Sequence, residues 1–243
     1  MRPQNKILGG LGLALFFTGV LLGMAFFAVL TWASLEASFY FGYNGGAETK
    51  LRLACPYIMT PQDSGSVTAT VVNKVEKTIS PVFQADFSGP MLRSIRTQPS
   101  IDPAKTREIQ WAISAQDVDY GSLIMVQVYQ YSSYKTPTAM ATCGTLFLNL
   151  PTLTGMEIYI LALVLSLLGI TAGILLWLIN NRPVTGRKRE YLGGILFLTA
   201  IVLLGILFGS LGQWMLGVFA LGLSLLMFVI QLVRPYTPRS PTF

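Results

Sequence analysis

Four long stretches of the chain contain no charged residue, and polar segments separate them. The stretches run over residues 7–32, 158–179, 191–209 and 214–233. A helix of roughly 20 apolar residues crosses the hydrocarbon core of a membrane, which is about 30 Å thick. The first stretch is also longer than the roughly 7 to 15 apolar residues of a signal peptide. The pattern therefore predicts four transmembrane helices, of which the first is retained.

Residues between the first and second stretches follow a different pattern. Val67, Ala69 and Val71 alternate with threonines, and Ile109 and Trp111 alternate with polar or small residues. A period of two is typical of strands that bury one face. The predicted strands cover residues 50–55, 66–73, 79–87, 91–97, 109–114, 123–131 and 140–150. About seven short strands with turn residues between them favour an antiparallel, Ig-like β-sandwich inserted between helices 1 and 2.

One short basic loop sets the predicted orientation. Arg182, Arg187, Lys188 and Arg189 lie between the second and third apolar stretches. Short loops rich in Lys and Arg stay on the cytoplasmic side of a membrane, so both termini are predicted inside and the sandwich outside. The predicted organisation is a cytoplasmic N-terminus with helix 1 (1–33), an extracytoplasmic sandwich (34–155), helix 2 (156–180), the basic cytoplasmic loop (181–190), a hairpin of helices 3 and 4 (191–233) and a cytoplasmic tail (234–243).

The composition agrees with a membrane protein and changes the meaning of the positive charge. Hydrophobic residues make up 52% of the 243 residues, and the mean hydropathy is +0.57. Cations and acids are equal in number from residue 34 to residue 155, so the formal net charge of +6 arises beside the apolar stretches. We therefore expect these cations to contact membrane lipids with anionic headgroups, and we expect no nucleic-acid partner.

The chain contains two cysteines, Cys55 and Cys143, and both lie in the segment predicted outside. An extracytoplasmic compartment permits a disulfide, which would link the first and last predicted strands. The alternative is two free thiols in a reducing compartment.

Two segments of the predicted sandwich resemble bacterial Ig-like modules of the cell-adhesion-related type. They are residues 65–89, GSVTATVVNKVEKTISPVFQADFSG, and residues 106–131, TREIQWAISAQDVDYGSLIMVQVYQY. In such modules a strand ends in Asn before a charged turn, as Asn73 does here before residues 74–77, and a later strand leads into an acidic turn, here residues 117–121. The resemblance implies a sandwich fold and no catalytic residue. A disulfide between terminal strands would differ from the inter-sheet bridge of antibody domains.

Candidate chemistry is sparse. The chain contains no histidine, and the four apolar stretches carry no Asp, Glu, Lys or Arg. Acid–base catalysts, metal sites and ion pathways commonly depend on such residues, so we expect no enzyme, no ion-coupled transporter, no cofactor and no metal centre. Asp117 and Asp119, before Gly121, could be calcium ligands. The favoured interpretation is a turn in which the Asp side chains accept local backbone hydrogen bonds.

Two further groups of residues are candidates for contacts. Tyr129, Tyr131 and Tyr134 lie in or just after one predicted strand and form a possible protein-interaction face, with ordinary sandwich surface as the alternative. Three pairs of glycines spaced four apart allow close approach of helices, either within this chain or with other subunits. The pairs are Gly19 with Gly23, Gly169 with Gly173, and Gly205 with Gly209.

These observations predict a non-enzymatic, multi-pass membrane protein that serves as a structural or accessory interaction subunit. We expect other membrane or extracytoplasmic proteins as partners. The absence of an Asn-x-Ser/Thr site favours a bacterial plasma membrane. The alternative is a transport or lipid-handling component whose bundle binds an apolar molecule. A four-span cell-contact protein of the claudin kind ranks third, because the Trp-Gly-Leu-Trp pattern of its outer loop is absent.

Overall fold

The computed structural model describes residues 6–42, 49–89, 92–131 and 136–233, apart from the side chains of Lys6, Thr49, Lys50 and Arg187. The chain forms two compact units. The helical unit comprises residues 1–31 and 160–243, and the β unit comprises residues 32–159.

Four helices are long and apolar enough to cross a membrane. They are α1 (Lys6–Tyr40), α2 (Gly155–Asn180), α3 (Arg187–Ser210) and α4 (Trp214–Val233). The bounds of α4 are those that the apolar pattern predicts. All strands follow α1 and precede α2 in the chain.

Two helix boundaries differ from the prediction. Helix α1 continues past residue 33 to Tyr40, and α3 begins at Arg187. The predicted basic loop is therefore shorter, and Arg187, Lys188 and Arg189 lie in the first turn of α3. An apolar pattern marks only the part of a helix that lies in hydrocarbon, whereas backbone hydrogen bonding continues through residues such as Glu36 that favour helices.

Glycines bring α2 against α1 in the helical unit. A Cβ atom on Gly19 would lie 2.6 Å from the backbone nitrogen of Ile170, and a Cβ atom on Gly169 would lie 2.9 Å from Cα of Gly19. Gly173 lies against the backbone of Phe16. These separations leave no room for a side chain, so glycine is required where the two backbones touch.

Helix α1 also contacts α3 and α4. Neighbours between α1 and α3 are Gly23 and Val202, Gly205 and Phe27, and Gly209 and Leu30. On α4, Gly217 lies against the side chain of Thr31. The three predicted glycine pairs therefore lie where α1 packs against another helix of the same chain.

The β unit contains ten strands in two sheets. The strands are β1 (Thr49–Lys50), β2 (Arg52–Ala54), β3 (Ile58–Met59), β4 (Gly65–Val72), β5 (Phe83–Phe87), β6 (Arg93–Thr97), β7 (Thr106–Ile113), β8 (Val118–Asp119), β9 (Leu123–Gln130) and β10 (Ala139–Phe147). The large sheet has the order β1-β10-β9-β5-β6, with β3 paired to β10 and β8 to β9, and the small sheet has the order β2-β4-β7. Alternate residues of β4, β5, β7 and β9 form one shared core, in which Val67, Phe83, Trp111 and Val126 are buried.

The expectation of a purely antiparallel sandwich is wrong at two short strands. Both β1 and β3 pair in parallel with β10. These two-residue strands precede the long antiparallel ladders, and β10 closes the domain beside them, so the chain ends run in the same direction. Strands this short carry too little periodicity to be predicted. Residue Ile79, expected in a strand with Phe87, forms only an isolated bridge to Ile101, because Pro81 cannot donate to a ladder.

A disulfide joins Cys55 to Cys143, with their Cα atoms 6.4 Å apart. Cys55 directly follows β2 of the small sheet, and Cys143 lies on β10 of the large sheet. The bridge therefore crosses between the two sheets, and the expected contrast with the inter-sheet bridge of antibody domains is wrong. The error arose because the sequence does not reveal which sheet a strand joins.

Candidate functional site

The outer face of the large sheet is the candidate site, and β9 shows how it is divided. Ile124, Val126 and Val128 point into the core between the sheets. The alternate residues of β9 point outward, and those near its start are also buried: Leu123 is 7% exposed and Met125 is 0% exposed. A strand buried on both faces requires a third layer of structure.

The end of α1 supplies that third layer. Ala33 and Ala37 pack with Leu123 and Met125 in one buried cluster. Because residues four apart share a helix face, the two alanines present a flat surface to the sheet. A Cβ atom on Gly144 of β10 would overlap the carbonyl group of Ala33, so only glycine permits this approach. We call this contact the α1 joint.

The remaining part of the outer face is not covered by α1. It carries Gln84, Gln127, Tyr129, Tyr131 and Met140, which we call the open face. Gln84 of β5 and Met140 of β10 lie directly opposite Tyr129 of β9 in the sheet register. The rings of Tyr129 and Tyr131 meet edge to face, with centroids 4.9 Å apart.

Hydrogen bonds connect the side chains of the open face to one another. The Tyr131 hydroxyl donates to Gln84 Oε1 at 2.8 Å, and Arg96 Nε donates to the same oxygen at 3.2 Å. Gln84 Nε2 donates to Asp86 Oδ1 at 3.0 Å. These bonds fix side-chain rotamers before any partner arrives, which lowers the entropic cost of binding.

Of the three predicted contact tyrosines, the structure brings Tyr129 and Tyr131 together, while Tyr134 lies outside the described residues. Tyr131 is 39% exposed and Tyr129 is half-buried. The predicted lipid-contacting cations are placed at the start of α3, where Lys188 and Arg189 lie in the first turn, and at Arg182 in the connection before it.

The two aspartates considered for calcium have different surroundings. Asp117 Oδ2 accepts hydrogen bonds from Arg93 at 2.9 Å and from the backbone nitrogen of Ser114 at 2.9 Å, and it closes a capping box on the short 3₁₀ helix Ala115–Asp117. Asp119 Oδ1 accepts from the backbone nitrogen of Tyr120 at 2.9 Å. Both aspartates therefore accept the local hydrogen bonds expected of the turn interpretation. Among the described residues, no group of three or more His, Cys, Asp or Glu is arranged to hold a metal ion.

Asn73 explains one part of the pattern that resembles Ig-like modules. Its side chain is fully buried and donates to the carbonyl oxygens of Lys77 and Ile101, each at 2.9 Å. Its Oδ1 accepts from the backbone nitrogen of Val75 at 2.9 Å. Asn73 therefore holds the charged turn in place, which is a structural role.

A second joint, centred on Asp63, was not predicted. Asp63 lies in the turn between β3 and β4, and its Oδ2 accepts from the backbone nitrogen of Thr60 at 2.7 Å and from the Thr60 hydroxyl at 3.0 Å. It also accepts from the backbone nitrogen of Gly155, in the first turn of α2, at 2.8 Å. Burial raises the pKa of the Asp63 carboxyl, but the three hydrogen bonds lower it further, and the net pKa lies below its ordinary value.

The sequence held one signal for the α1 joint. Residues 123–126 read Leu-Ile-Met-Val, an unbroken apolar run at the start of β9, where a strand open to water on one side would alternate. No comparable signal marks Asp63, because its partner Gly155 is distant in the chain and contributes only a backbone group.

Comparison with known proteins gives limited information. No protein-family model matches the chain, and no curated protein matches it significantly. Among solved structures, a β-glucuronidase 2 of Bacteroides uniformis matches with 15% identity and a TM-score of 0.32, over 43% of this chain and 14% of that chain. The CARDB domain of a Pyrococcus furiosus protein, in complex with di-metal ions, matches with 6% identity and a TM-score of 0.30, over 42% of this chain and 90% of that domain. A β-glucosidase of Listeria innocua matches with 11% identity and a TM-score of 0.28, over 42% of this chain and 16% of that chain.

Proposed function

We propose that this chain is a non-enzymatic, multi-pass membrane protein that presents its β unit outside the plasma membrane as an interaction subunit, and that the open face binds an extracytoplasmic segment of another protein. The observation that carries the proposal is the division of one sheet face. Ala33 and Ala37 cover one part, and the rest displays hydrogen-bonded tyrosines and glutamines.

The composition of the open face supports a protein partner. Tyr, Met and Arg are enriched at protein interfaces, and Tyr129, Tyr131, Met140 and Arg96 occur together here. Tyrosine contributes a large contact area at low entropic cost and retains a polar group that hydrogen-bonds at the rim of an interface. The outer face of the small sheet lacks aromatic residues and displays Thr68, Thr70 and Gln110 instead.

The charge distribution supports the outward placement of the β unit. Arg182, Lys188 and Arg189 lie beside the connection between α2 and α3, which is the end of those helices remote in sequence from the β unit. Under the positive-inside rule this end is cytoplasmic, so the start of α2 and the β unit are outside. A disulfide between Cys55 and Cys143 suits such an oxidising compartment.

The experiment is purification of the full chain from its native membrane in mild detergent, with proteins and lipids identified by mass spectrometry. The test variant combines Tyr129→Ser with Tyr131→Ser. The matched control combines Thr70→Ser with Gln110→Ser on the outer face of the small sheet. Thermal unfolding of both variants establishes that each remains folded.

A protein that copurifies with the wild type and the control, but not with the open-face variant, supports the proposal. Copurification that is unchanged in the open-face variant contradicts the assigned surface. A chain that carries no protein partner and one enriched apolar lipid contradicts the interaction function, and it favours a ligand within the helical unit.

A further inference from the structure

The β unit holds the outer ends of α1 and α2 by contacts of very different character. At the α1 joint the contacts are apolar and closed to water: Ala33, Ala37 and Met125 are each at most 1% exposed. Gly144 brings the backbone of β10 against α1 in the same place. Separating these surfaces would expose apolar area to water, which is strongly unfavourable.

Contacts with the first turn of α2 are mainly polar and lie nearer to solvent. Asp63 Oδ2 accepts from the Gly155 nitrogen, and the Gln62 side chain donates to the carbonyl oxygen of Pro151 at an exposed position. The rings of Tyr57 and Tyr159 stack with centroids 5.0 Å apart, and Tyr57 is 37% exposed. Water replaces such hydrogen bonds at little net cost when they open.

Helix α2 also retains its own N-terminal cap without Asp63. The backbone nitrogen of Thr154 donates to Glu157 Oε2 at 2.8 Å, and the Glu157 nitrogen donates to the Thr154 hydroxyl at 3.3 Å. This reciprocal pair is a capping box, which stabilises the first turn of a helix. Loss of the Asp63 contact therefore leaves the first turn of α2 helical and exposes only groups that water can solvate.

From this asymmetry we infer that the β unit is attached to its two flanking helices by one permanent joint and one releasable latch. The permanent joint is the apolar contact with α1, and the latch is the polar contact with α2, centred on Asp63. Opening the latch lets the sandwich pivot about the end of α1 while both helices stay folded. The inference goes beyond the proposed function and does not depend on what the open face binds.

Hydrogen exchange on the full chain in lipid nanodiscs tests the latch. The test variant is Asp63→Ala, and the control is Asp102→Ala, which removes an exposed carboxylate that accepts a hydrogen bond from Thr78 and does not contact α2. We expect amides of residues 155–159 to exchange roughly tenfold faster or more in Asp63→Ala, with amides of residues 33–41 unchanged. Equal acceleration of both segments would overturn the inference, because the two joints would then open together.

A distance measurement separates opening of the latch from loss of one local hydrogen bond. Spin labels are attached to cysteines introduced at Ser66 and Met156, and in a second sample at Ser66 and Phe39, all of which are exposed in the β unit. In Asp63→Ala we expect the Ser66–Met156 distribution to broaden and the Ser66–Phe39 distribution to stay narrow. Two unchanged distributions would overturn the inference. The milder variant Gln62→Ala, which removes only the exposed hydrogen bond to Pro151, must broaden the first distribution in the same direction.

Discussion

Ala33 of α1 and Gly144 of β10 lie in direct backbone contact, so that the end of a candidate transmembrane helix forms the third layer of a β-sandwich. Substitution of Gly144 by alanine places a methyl group into the carbonyl group of Ala33. Because backbone lies on both sides of this contact, neither can move easily, and we expect a loss of about 1 to 3 kcal/mol or more. Thermal unfolding in detergent measures the loss, and Gly222→Ala is the control, since a Cβ atom there meets nothing within 4 Å.

The apolar part of the α1 joint is tested by Met125→Ala. The Met125 side chain is fully buried between β9 and α1, so truncation leaves a cavity, and we expect destabilisation of about 2 to 5 kcal/mol. The comparison is Met140→Ala on the open face, where the side chain is half-buried and the loss should be smaller. Equal losses for the two variants would show that α1 does not seal this part of the sheet.

The lowered pKa of Asp63 predicts a defined pH dependence. A carboxyl whose folded-state pKa lies below its unfolded value, near 3.9, stabilises the folded state fully at higher pH, and that contribution is lost as the pH falls through the folded pKa. The difference in thermal midpoint between wild type and Asp63→Asn should therefore be constant from about pH 7 to pH 5 and shrink below about pH 4. The same titration of Asp102→Asn provides the control, and a constant difference at every pH would contradict the assignment to Asp63.

The disulfide predicts sensitivity to reductant in the β unit. Cys55 and Cys143 close a loop with a sequence separation of 88, for which the chain-entropy model gives a stabilisation of about 4 to 5 kcal/mol. Reduction, or the paired substitution of both cysteines by serine, should lower the thermal midpoint of the β unit by a similar amount in each case. A midpoint unaffected by reductant would mean that the bridge contributes little.

The close contact between α1 and α2 predicts that Gly169 tolerates no larger residue. In Gly169→Leu the side chain meets the backbone of Gly19, which should separate the two helices and lower the thermal stability of the helical unit by about 1 to 3 kcal/mol or more. Gly222→Leu, at an open position of α4, should be nearly neutral in detergent. If both leucine variants melted alike, the glycines would not mediate packing within the chain.

Patterns that are local in sequence predicted much of this fold. The uncharged run of α4 and the alternation of Val67, Ala69 and Val71 both report burial along a single element, so the elements follow directly from the residues. The pairing of Cys55 with Cys143 followed from the presence of only two cysteines in the chain.

Contacts distant in sequence were not predictable in the same way. Ala33 and Ala37 read as ordinary helix formers, and only the structure shows that β9 covers them. Asp63 reads as a turn residue, and its contact with Gly155 depends on how β3 returns beside β10. The open face was partly anticipated through Tyr129 and Tyr131, whereas Gln84, which links Tyr131 to Arg96, comes from a different strand.

The most direct test of the proposed function is site-specific photo-crosslinking from the native membrane. A photoreactive residue replaces Tyr129 on the open face and, in a parallel sample, Gln110 on the outer face of the small sheet. The account predicts that one protein is captured in good yield from position 129 and is absent from position 110. Equal capture of that protein from both positions, or none from position 129 while position 110 captures one, would contradict it.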